Sequence, residues 1–306
     1  MDGKRRPLVT IIAISYNHAP FIQEALYSIF NQSYSNIELI VIDDASTDTS
    51  CQVIESCITG RSILFLKNEK NIGNCTSFNK AYKHATGDYI IDFALDDIMY
   101  ATRIEKQVAF FQNESNKVGV IFTNVDIVSE NGSLLYTHYP TFHHRSSITN
   151  IPSGDVFEAL LSQYYINPVS MMSRREVFDK LNGYDECLAY EDFDFWIRSA
   201  RIFEYAYMPE ILSAKRTVTK SLSSQFYQAN QLAMFESTLN VCKKAWWLCT
   251  SAQEKQALVK RCRYEARQAF TYKYKNIVGR YLEILKEIDP MYVVYRGLVK
   301  FFIKLK

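Results

Sequence analysis

No run of 18 or more apolar residues occurs in the 306-residue chain, so a membrane-spanning helix is not expected. The first residues, Met-Asp-Gly-Lys-Arg-Arg-Pro, are charged and lead towards a strand without the apolar core of a secretory signal, which makes the cytosol the expected compartment. Seven cysteines form an odd set with no CxxC pair and no Cys/His cluster, an argument against both a disulfide framework and a zinc site. Cys51, Cys57 and Cys75 are read instead as small buried hydrophobes. After the first strand there is neither G-x-G-x-x-G nor G-x-x-x-x-G-K-[ST], so a dinucleotide fold and a P-loop are both unsupported. Net charge is nearly absent too, at +2, but it conceals a division: residues 241–306 hold 15 Lys and Arg against 5 Asp and Glu, and residues 1–240 hold 20 against 28. The tail is basic and the body acidic, which points the tail towards an anionic partner.

What is present is a repeated alternation. Leu8–Ile14, Ile37–Ile42, Ile63–Leu66 and Tyr89–Leu95 are apolar, β-rich runs, separated by segments with helical spacing, as at Ile22, Ala25, Leu26 and Ile29. Strand and helix alternating over about 90 residues imply a parallel sheet with right-handed crossovers, an α/β architecture that binds ligands at the carboxyl ends of its strands. Those ends carry Ser15-Tyr16-Asn17, Asp43-Asp44 and Asp96-Asp97. Thr102 and Glu105 supply a capping box for the helix running to about Phe111, which leaves Asp96 and Asp97 free for chemistry. Two carboxylates at a strand end suit a hard divalent cation, Mg²⁺ or Mn²⁺, that shares its remaining positions with phosphate and water. Singly, Tyr16 is explained as a core-edge aromatic, Asn17 as a cap, and Asp43 and Asp44 as turn residues.

Taken together, the motifs resemble glycosyltransferase family 2, the inverting enzymes with the GT-A nucleotide-diphospho-sugar fold. The matching residues are Val9–Asn17, Asn31-Gln-Ser-Tyr34, Asn36–Asp48, Asn71-Ile-Gly73, Asn79, Ala85–Asp88, the block around Asp96-Asp97, and Glu191–Arg198, covering about residues 7–220. The resemblance implies that Tyr16 stacks near the base, that Asp44 binds it, that Asp96 lies by the ribose and diphosphate, and that Asp97 is the metal ligand. Ser15, Asn17, Asn71 and Gly73 complete the implied donor site. It further implies that Asp192 is the general base, with Glu191 and Trp196 on the acceptor side. Three positions depart from the family pattern: Ala94 where a first acid is common, Phe78 before Asn79 where a base is common, and Val218 two residues after Arg216 where a His is usual.

Further along, Val118–Val128 is expected as a strand, Asn131-Gly132 as a type I′ hairpin turn, Gly154–Gln163 as a helix and Ile166–Met172 as a strand. Residues 137–153 lack periodicity and are expected as a long loop, with His138, His143 and His144 read as solvated loop residues rather than a metal cluster; the family resemblance implies that this region borders the acceptor site, as a candidate lid. Asp192 is placed at a helix start, where a capping carboxylate is also expected. The expected organisation is a GT-A domain over 1–224, with a donor half at about 7–125 and an acceptor half at 126–224, followed by a helical, basic extension over 225–306. Near the end of the chain Arg296, Lys300 and Lys304 form one stripe and Val294, Leu298, Phe301, Phe302 and Leu305 the rest, a basic amphipathic helix. That separation suits an anionic membrane surface rather than nucleic acid, whose readers interleave aromatics with bases in a groove; docking on the catalytic domain is the alternative. The implied activity is metal-dependent transfer of a sugar, from UDP in the first instance, to a hydroxyl of a glycan or lipid-linked glycan in surface-polysaccharide synthesis. A sugar nucleotidyltransferase would need a Gly-rich, Arg-containing loop after strand one, and a non-catalytic binding protein would not need Asp97 and Asp192 together.

Overall fold

The first strand, β1 (Val9–Ser15), is buried at every position, as its unbroken apolar run requires. The computed structural model describes residues 6–141, 150–218 and 231–297. β1 is followed by α1 (Ile22–Phe30), β2 (Ile37–Asp43), α2 (Ser50–Ile58), β3 (Leu64–Lys67), α3 (Asn74–Tyr82) and β4 (Tyr89–Ala94). After these come the two-residue β5 (Ile98–Met99), α4 (Arg103–Asn113), β6 (Val118–Val128), β7 (Leu134–Thr137) and a kinked turn, α5 (His138–Thr141). The remaining elements are α6 (Phe157–Ser162), β8 (Met172–Arg174), α7 (Arg175–Leu181), α8 (Asp192–Ala200), β9 (Glu204–Arg216), α9 (Leu232–Leu248), α10 (Ala252–Thr271) and α11 (Lys275–Ile288).

Among the described residues nine strands form one sheet in the order β3-β2-β1-β4-β8-β6-β9-β5, with β7 paired to β6. β3, β2, β1 and β4 are mutually parallel, and β8 joins β4 and β6 antiparallel to both. The chain moves outwards from β1 to β3 and then returns to the other side of β1 for β4. The direction of winding therefore reverses between β1 and β4, and a crevice opens at their carboxyl ends, where open α/β sheets bind ligands.

The chain divides into two compact units. One comprises Met1–Asp155, Ile166–Glu186 and Ile202–Ser221 and contains the whole sheet. The other comprises Val156–Tyr165, Cys187–Arg201 and Leu222–Lys306, so α6 and α8 group with the carboxyl-terminal helices. The apolar face of α8, Phe193, Trp196, Ile197 and Ala200, is buried within this helical unit. There Arg261 lies 4.0 Å over the Tyr164 ring, pairs with Glu265 at 3.2 Å and donates to the Leu161 carbonyl at 3.1 Å. Among the described residues no helix is long and apolar enough to cross a membrane.

Several local expectations are corrected. Thr102 adopts φ −99°, ψ 6°, not the extended geometry of a capping residue, and makes no side-chain cap. Glu105 instead accepts from Ser33 Oγ at 2.7 Å, so the box over 102–105 does not form. A true capping box occurs where none was expected, between Ser251 and Glu254. At the β6–β7 hairpin only Gly132 has positive φ, 83°, whereas a type I′ turn needs two such residues; the connection is the longer loop 129–133. Ile166–Met172 is not a strand throughout: Pro168–Ser170 is a 3₁₀ turn with Asn167 accepting from the Val169 N–H, because Pro168 has no N–H to offer a ladder. The helix expected at 154–163 shortens to α6, and His138 is buried rather than solvated, packed edge-on to Tyr139. His143, His144 and most of the candidate lid lie outside the described residues.

A tight clip closes the sheet unit. Asn79 on α3 donates to the Tyr184 carbonyl at 2.9 Å and accepts the Tyr184 N–H at 2.9 Å, and the turn that makes this possible places Gly183 at φ +75°. A methyl group on Gly183 would stand 2.3 Å from Asn79 Oδ1. Gly183→Ala is therefore expected to destabilise the protein by about 1–3 kcal/mol through backbone strain and loss of the clip. A urea titration checks this, and an unchanged midpoint would show that the turn adapts.

Candidate active site

The carboxyl edge of β2, β1 and β4 gathers most of the residues singled out from the sequence. β1 ends on Ser15, whose side chain is buried and whose hydroxyl oxygen has no hydrogen-bond partner among the described residues. Tyr16 follows, 42% exposed, so its ring face is available at the rim. Asn17 occupies the left-handed region at φ 57°, which an Asn tolerates better than most residues. Its side-chain oxygen accepts from the Thr47 N–H at 2.8 Å, while its own N–H donates to Ser46 Oγ at 2.8 Å. Asn17 is thus the clamp between the loops that leave β1 and β2.

Asp44 performs a similar task for the next loop. Its carboxylate accepts from the Ile72 and Gly73 N–H groups, both at 2.9 Å, and from Asn68 Nδ2 at 2.8 Å. Gly73 sits at φ +85°, and Asn71 Oδ1 accepts the same Gly73 N–H at 3.1 Å. Asp44, Asn71 and Gly73 therefore form one structure, with the carboxylate folding the 71–73 loop over the strand ends. Lys80 extends it by donating to Asn68 Oδ1 at 2.8 Å. Phe78, at the position where the family often has a base, is wholly buried among Tyr82, Phe178 and Tyr184.

Asp96 and Asp97 follow β4 and are both buried, at 8% and 4% exposure. The sequence left both free of structural work; for Asp97 this is corrected. Asp97 Oδ1 accepts the Arg216 N–H at 2.8 Å, and its second oxygen takes no hydrogen bond among the described residues. Burial, and then the charge of Asp96, push the Asp97 carboxyl well above the ordinary carboxylate range, against the opposing influence of Lys215 and Arg216.

Arg216 is the buried cation at this corner. Its Nε donates to the Asp96 carbonyl at 3.0 Å, Nη1 to the Glu130 carbonyl at 2.7 Å, and Nη2 to Glu24 at 2.5 Å. The guanidinium also lies 4.9 Å from the centre of the Phe21 ring. Arg103 is a second, fully buried cation: it donates to Gln107 and to the Met171 carbonyl, both at 3.0 Å, and burial lowers its pKa to about 9 while the Asp97 charge acts to raise it. Neither Arg103 nor the Glu24 partner of Arg216 was singled out from the sequence, because polar contacts between distant segments, Arg103 to Met171 and Arg216 to Glu24, leave no periodic signal.

Glu191, Asp192 and Trp196 belong to the helical unit. Glu191 is the cap position of α8 without a side-chain cap, Asp192 is the first helical residue rather than the cap, and both are half-buried. Asp194, the other carboxylate of this turn, is buried and neutralised by Arg198 Nε at 2.6 Å and Lys244 Nζ at 2.5 Å. Trp196 is 3% exposed and edge-on to Tyr164 at 5.8 Å, so its ring serves the core of its unit rather than an open binding face.

Among the described residues no group of three or more His, Cys, Asp or Glu side chains is placed to hold a metal. The chemistry of the site nevertheless fits a cation supplied by one or two carboxylates, since a hard divalent ion completes its shell with phosphate oxygens and water. The open oxygen of Asp97, on a carboxylate whose ionisation burial opposes, is the position such an ion would favour.

The comparisons with known proteins agree with this geometry. An uncharacterized glycosyltransferase of Methanocaldococcus jannaschii is 30% identical over 196 residues, 63% of this chain and 64% of that protein, so the match spans just under two thirds of that relative. TuaG of Bacillus subtilis, a glycosyltransferase named for teichuronic acid biosynthesis, is 26% identical over 264 residues, 84% of this chain and 98% of TuaG. In fold the chain is similar to S. aureus TarS 1-349, solved in complex with UDP, at a TM-score of 0.70 with 17% identity, covering 95% of this chain and 87% of that one. It is also similar to the mannosyltransferase PcManGT of Pyrobaculum calidifontis, solved with GDP-Man and Mn²⁺, at a TM-score of 0.64 and 16% identity, covering 99% and 81%. The α/β fold is accordingly that of the GT-A glycosyltransferases. The sequence profile of Glycosyl transferase family 2 matches residues 10–181, and the chain belongs to that family.

Proposed function

We propose that this chain is an inverting glycosyltransferase that moves a sugar from a nucleotide-diphosphate donor, a UDP-sugar, to a hydroxyl of a glycan or lipid-linked glycan in surface-polysaccharide synthesis of the O-antigen or capsule type. The observation that carries the reading is the crevice between β1 and β4, where Ser15, Tyr16 and Asp96-Asp97 meet at one sheet edge, with Asp44 on the adjacent β2. The UDP held by TarS and the GDP-Man held by PcManGT support a nucleotide-sugar as the ligand, and the name of TuaG supports a surface polymer as the product.

In this reading Tyr16 offers its exposed ring to the base and Asp44 presents the 71–73 loop around it. Asp96 lies by the ribose and diphosphate. Asp97 would hold a divalent cation, which when bound supplies positive charge to the leaving diphosphate. Asp192 takes the proton of the acceptor hydroxyl as the new bond forms on the face of the anomeric carbon opposite the departing diphosphate, the requirement of direct inversion. Asp194 is excluded from that role by its two ion pairs, with Arg198 and Lys244.

The chain works at the cytoplasmic face of the membrane, docked through residues 290–306 on anionic lipid. Val293 and Val294 are 79% and 55% exposed, an apolar surface beside Arg296; Lys300 and Lys304 lie outside the described residues. Tyr295 OH donates to the Arg263 carbonyl at 3.0 Å and Arg263 pairs with Asp289 at 2.6 Å, so the root of this segment is also fastened to α10. Charge reversal is therefore a cleaner test than deletion.

Calorimetric titration with UDP, with and without Mn²⁺ or Mg²⁺, tests the donor site. The metal is expected to strengthen binding, and Asp97→Asn to abolish that gain while keeping the fold, since an amide oxygen still accepts the Arg216 N–H. Unchanged metal dependence in the variant would remove Asp97 from the site.

Asp192→Asn is expected to lower turnover about 10²-fold or more, the usual worth of a general base, with donor affinity nearly constant. Near-normal turnover would reject the assignment and leave Glu191 to be tried.

Co-sedimentation with anionic vesicles should fall when Arg296, Lys300 and Lys304 are replaced together by Glu. Each charge near the surface is worth about 1 kcal/mol and the effect weakens with salt. Equal sedimentation of the variant would favour docking of this helix on the protein itself.

A further inference from the structure

Among the described residues Trp247 is the most exposed large hydrophobic side chain, 84% open to water, and it does not stand alone. It shares the carboxyl end of α9 with Trp246 and Leu248, both half-buried. The turn that follows is firmly held: Ser251 and Glu254 form the capping box of α10, and Arg201 Nη1 donates to the Leu248 carbonyl at 3.3 Å and to Glu254 at 2.9 Å. The fold therefore presents this indole to solvent at a fixed corner of the helical unit. Scattered apolar side chains are ordinary on a surface, but a cluster of them at one corner marks a place of contact.

The exposed charges along this part of the chain have one sign. From Val241 to Tyr264 the only acidic residue is Glu254, which is buried and paired with Arg201. Lys244 is paired with Asp194, but Lys243, one helical turn before Trp247 and on the same face, is exposed, as are Lys255 and Lys260. Lys255 Nζ lies 5.3 Å from the centre of the Trp246 ring, so cation and indoles occupy the same corner. A second copy of the chain, meeting this corner with its own, would bring like charges together. Nucleic-acid channels interleave aromatics with cations along a groove, and two neighbouring indoles at the end of one helix are not such a groove. The boundary layer of an anionic bilayer fits better: the body of the ring lies at the acyl boundary, its N–H stays wet, and ammonium groups meet lipid phosphate. We propose that the α9–α10 corner is a membrane-contact surface in which Trp247 enters the headgroup layer, with Lys243 and Lys255 against the phosphates. The proposal rests on the reading that the chain works at an anionic membrane, and it gives that reading a contact separate from residues 290–306.

Intrinsic fluorescence of the full chain tests it, because the three Trp differ in exposure: Trp196 is buried and Trp246 half-buried. Vesicles of equal parts phosphatidylcholine and phosphatidylglycerol should shift the emission to shorter wavelength, and lipid brominated along its acyl chains should quench it. Trp247→Ser should remove most of both changes and weaken vesicle binding about tenfold, with the urea midpoint unchanged because the side chain lies outside the core. Lys243→Gln and Lys255→Gln should each weaken binding about fivefold at low salt, and by less as salt rises. A full chain that binds vesicles without shift or quenching, or a Trp247→Ser chain that binds and is quenched as before, would overturn this contact and leave 290–306 as the anchor. Should the Ser variant not fold, quenching of the unaltered chain decides. An equal shift with poly-L-glutamate would overturn the bilayer as partner in favour of an acidic protein. No binding of the unaltered chain to the vesicles would overturn the membrane reading itself, and this surface with it.

Discussion

The acidic corner of the sheet depends on one buried guanidinium. Two adjacent carboxylates are expensive to bury, because desolvation and mutual repulsion both oppose their ionisation. Arg216, 3% exposed, makes the arrangement possible from the far end of β9. It fixes the Asp96 carbonyl and the Glu130 carbonyl, reaches Glu24 on α1, and presents its own N–H to Asp97. One side chain thus joins the first helix, the acidic loop, the hairpin loop and the last strand of the sheet unit. Because each of its contacts is charge-assisted or made in the interior, where water cannot compete, the geometry of the carboxylates is set before any ligand arrives.

The same logic governs the other strand ends. Asn17 and Asp44 are tied to backbone N–H groups of the next loop, so residues expected to meet a ligand directly are also what shapes the loops around it. Structural and binding roles are not alternatives here. The Asp44 carboxylate, which accepts from the Ile72 and Gly73 N–H groups and from Asn68 Nδ2, is held in one orientation, and of its roughly four acceptor sites one, on Oδ2, is left for a further donor.

The helical unit treats its charges differently. Asp194 lies between Arg198 and Lys244, Arg261 faces Glu265 with both nearly unexposed, and Arg263 grips Asp289 through two nitrogens. The Arg261–Glu265 and Arg263–Asp289 pairs cancel within residues 241–306 and leave the net charge of that segment unchanged, whereas Lys244 pairs outside it, with Asp194. Arg296, in the last described turn, is exposed.

By itself the sequence determined the strand–helix alternation, the parallel sheet and the placing of the carboxylates at strand ends. Those features are written in local periodicity: β1 and β4 are apolar runs that end abruptly on polar residues, and such runs have few ways to be buried. It also carried the family, through motifs in a characteristic order. The tertiary structure alone decided which polar groups share a partner. That Glu105 would answer Ser33 instead of capping α4, that Arg216 would meet Glu24 across 192 positions of chain, and that His18 would stop 3.9 Å short of Asp96 are consequences of strand order and register. So is the burial of Trp196, which by spacing alone could equally have faced an acceptor. Hydrophobic periodicity records how each segment meets the core, but a hydrogen bond between segments depends on where both ends arrive, and no local pattern encodes that.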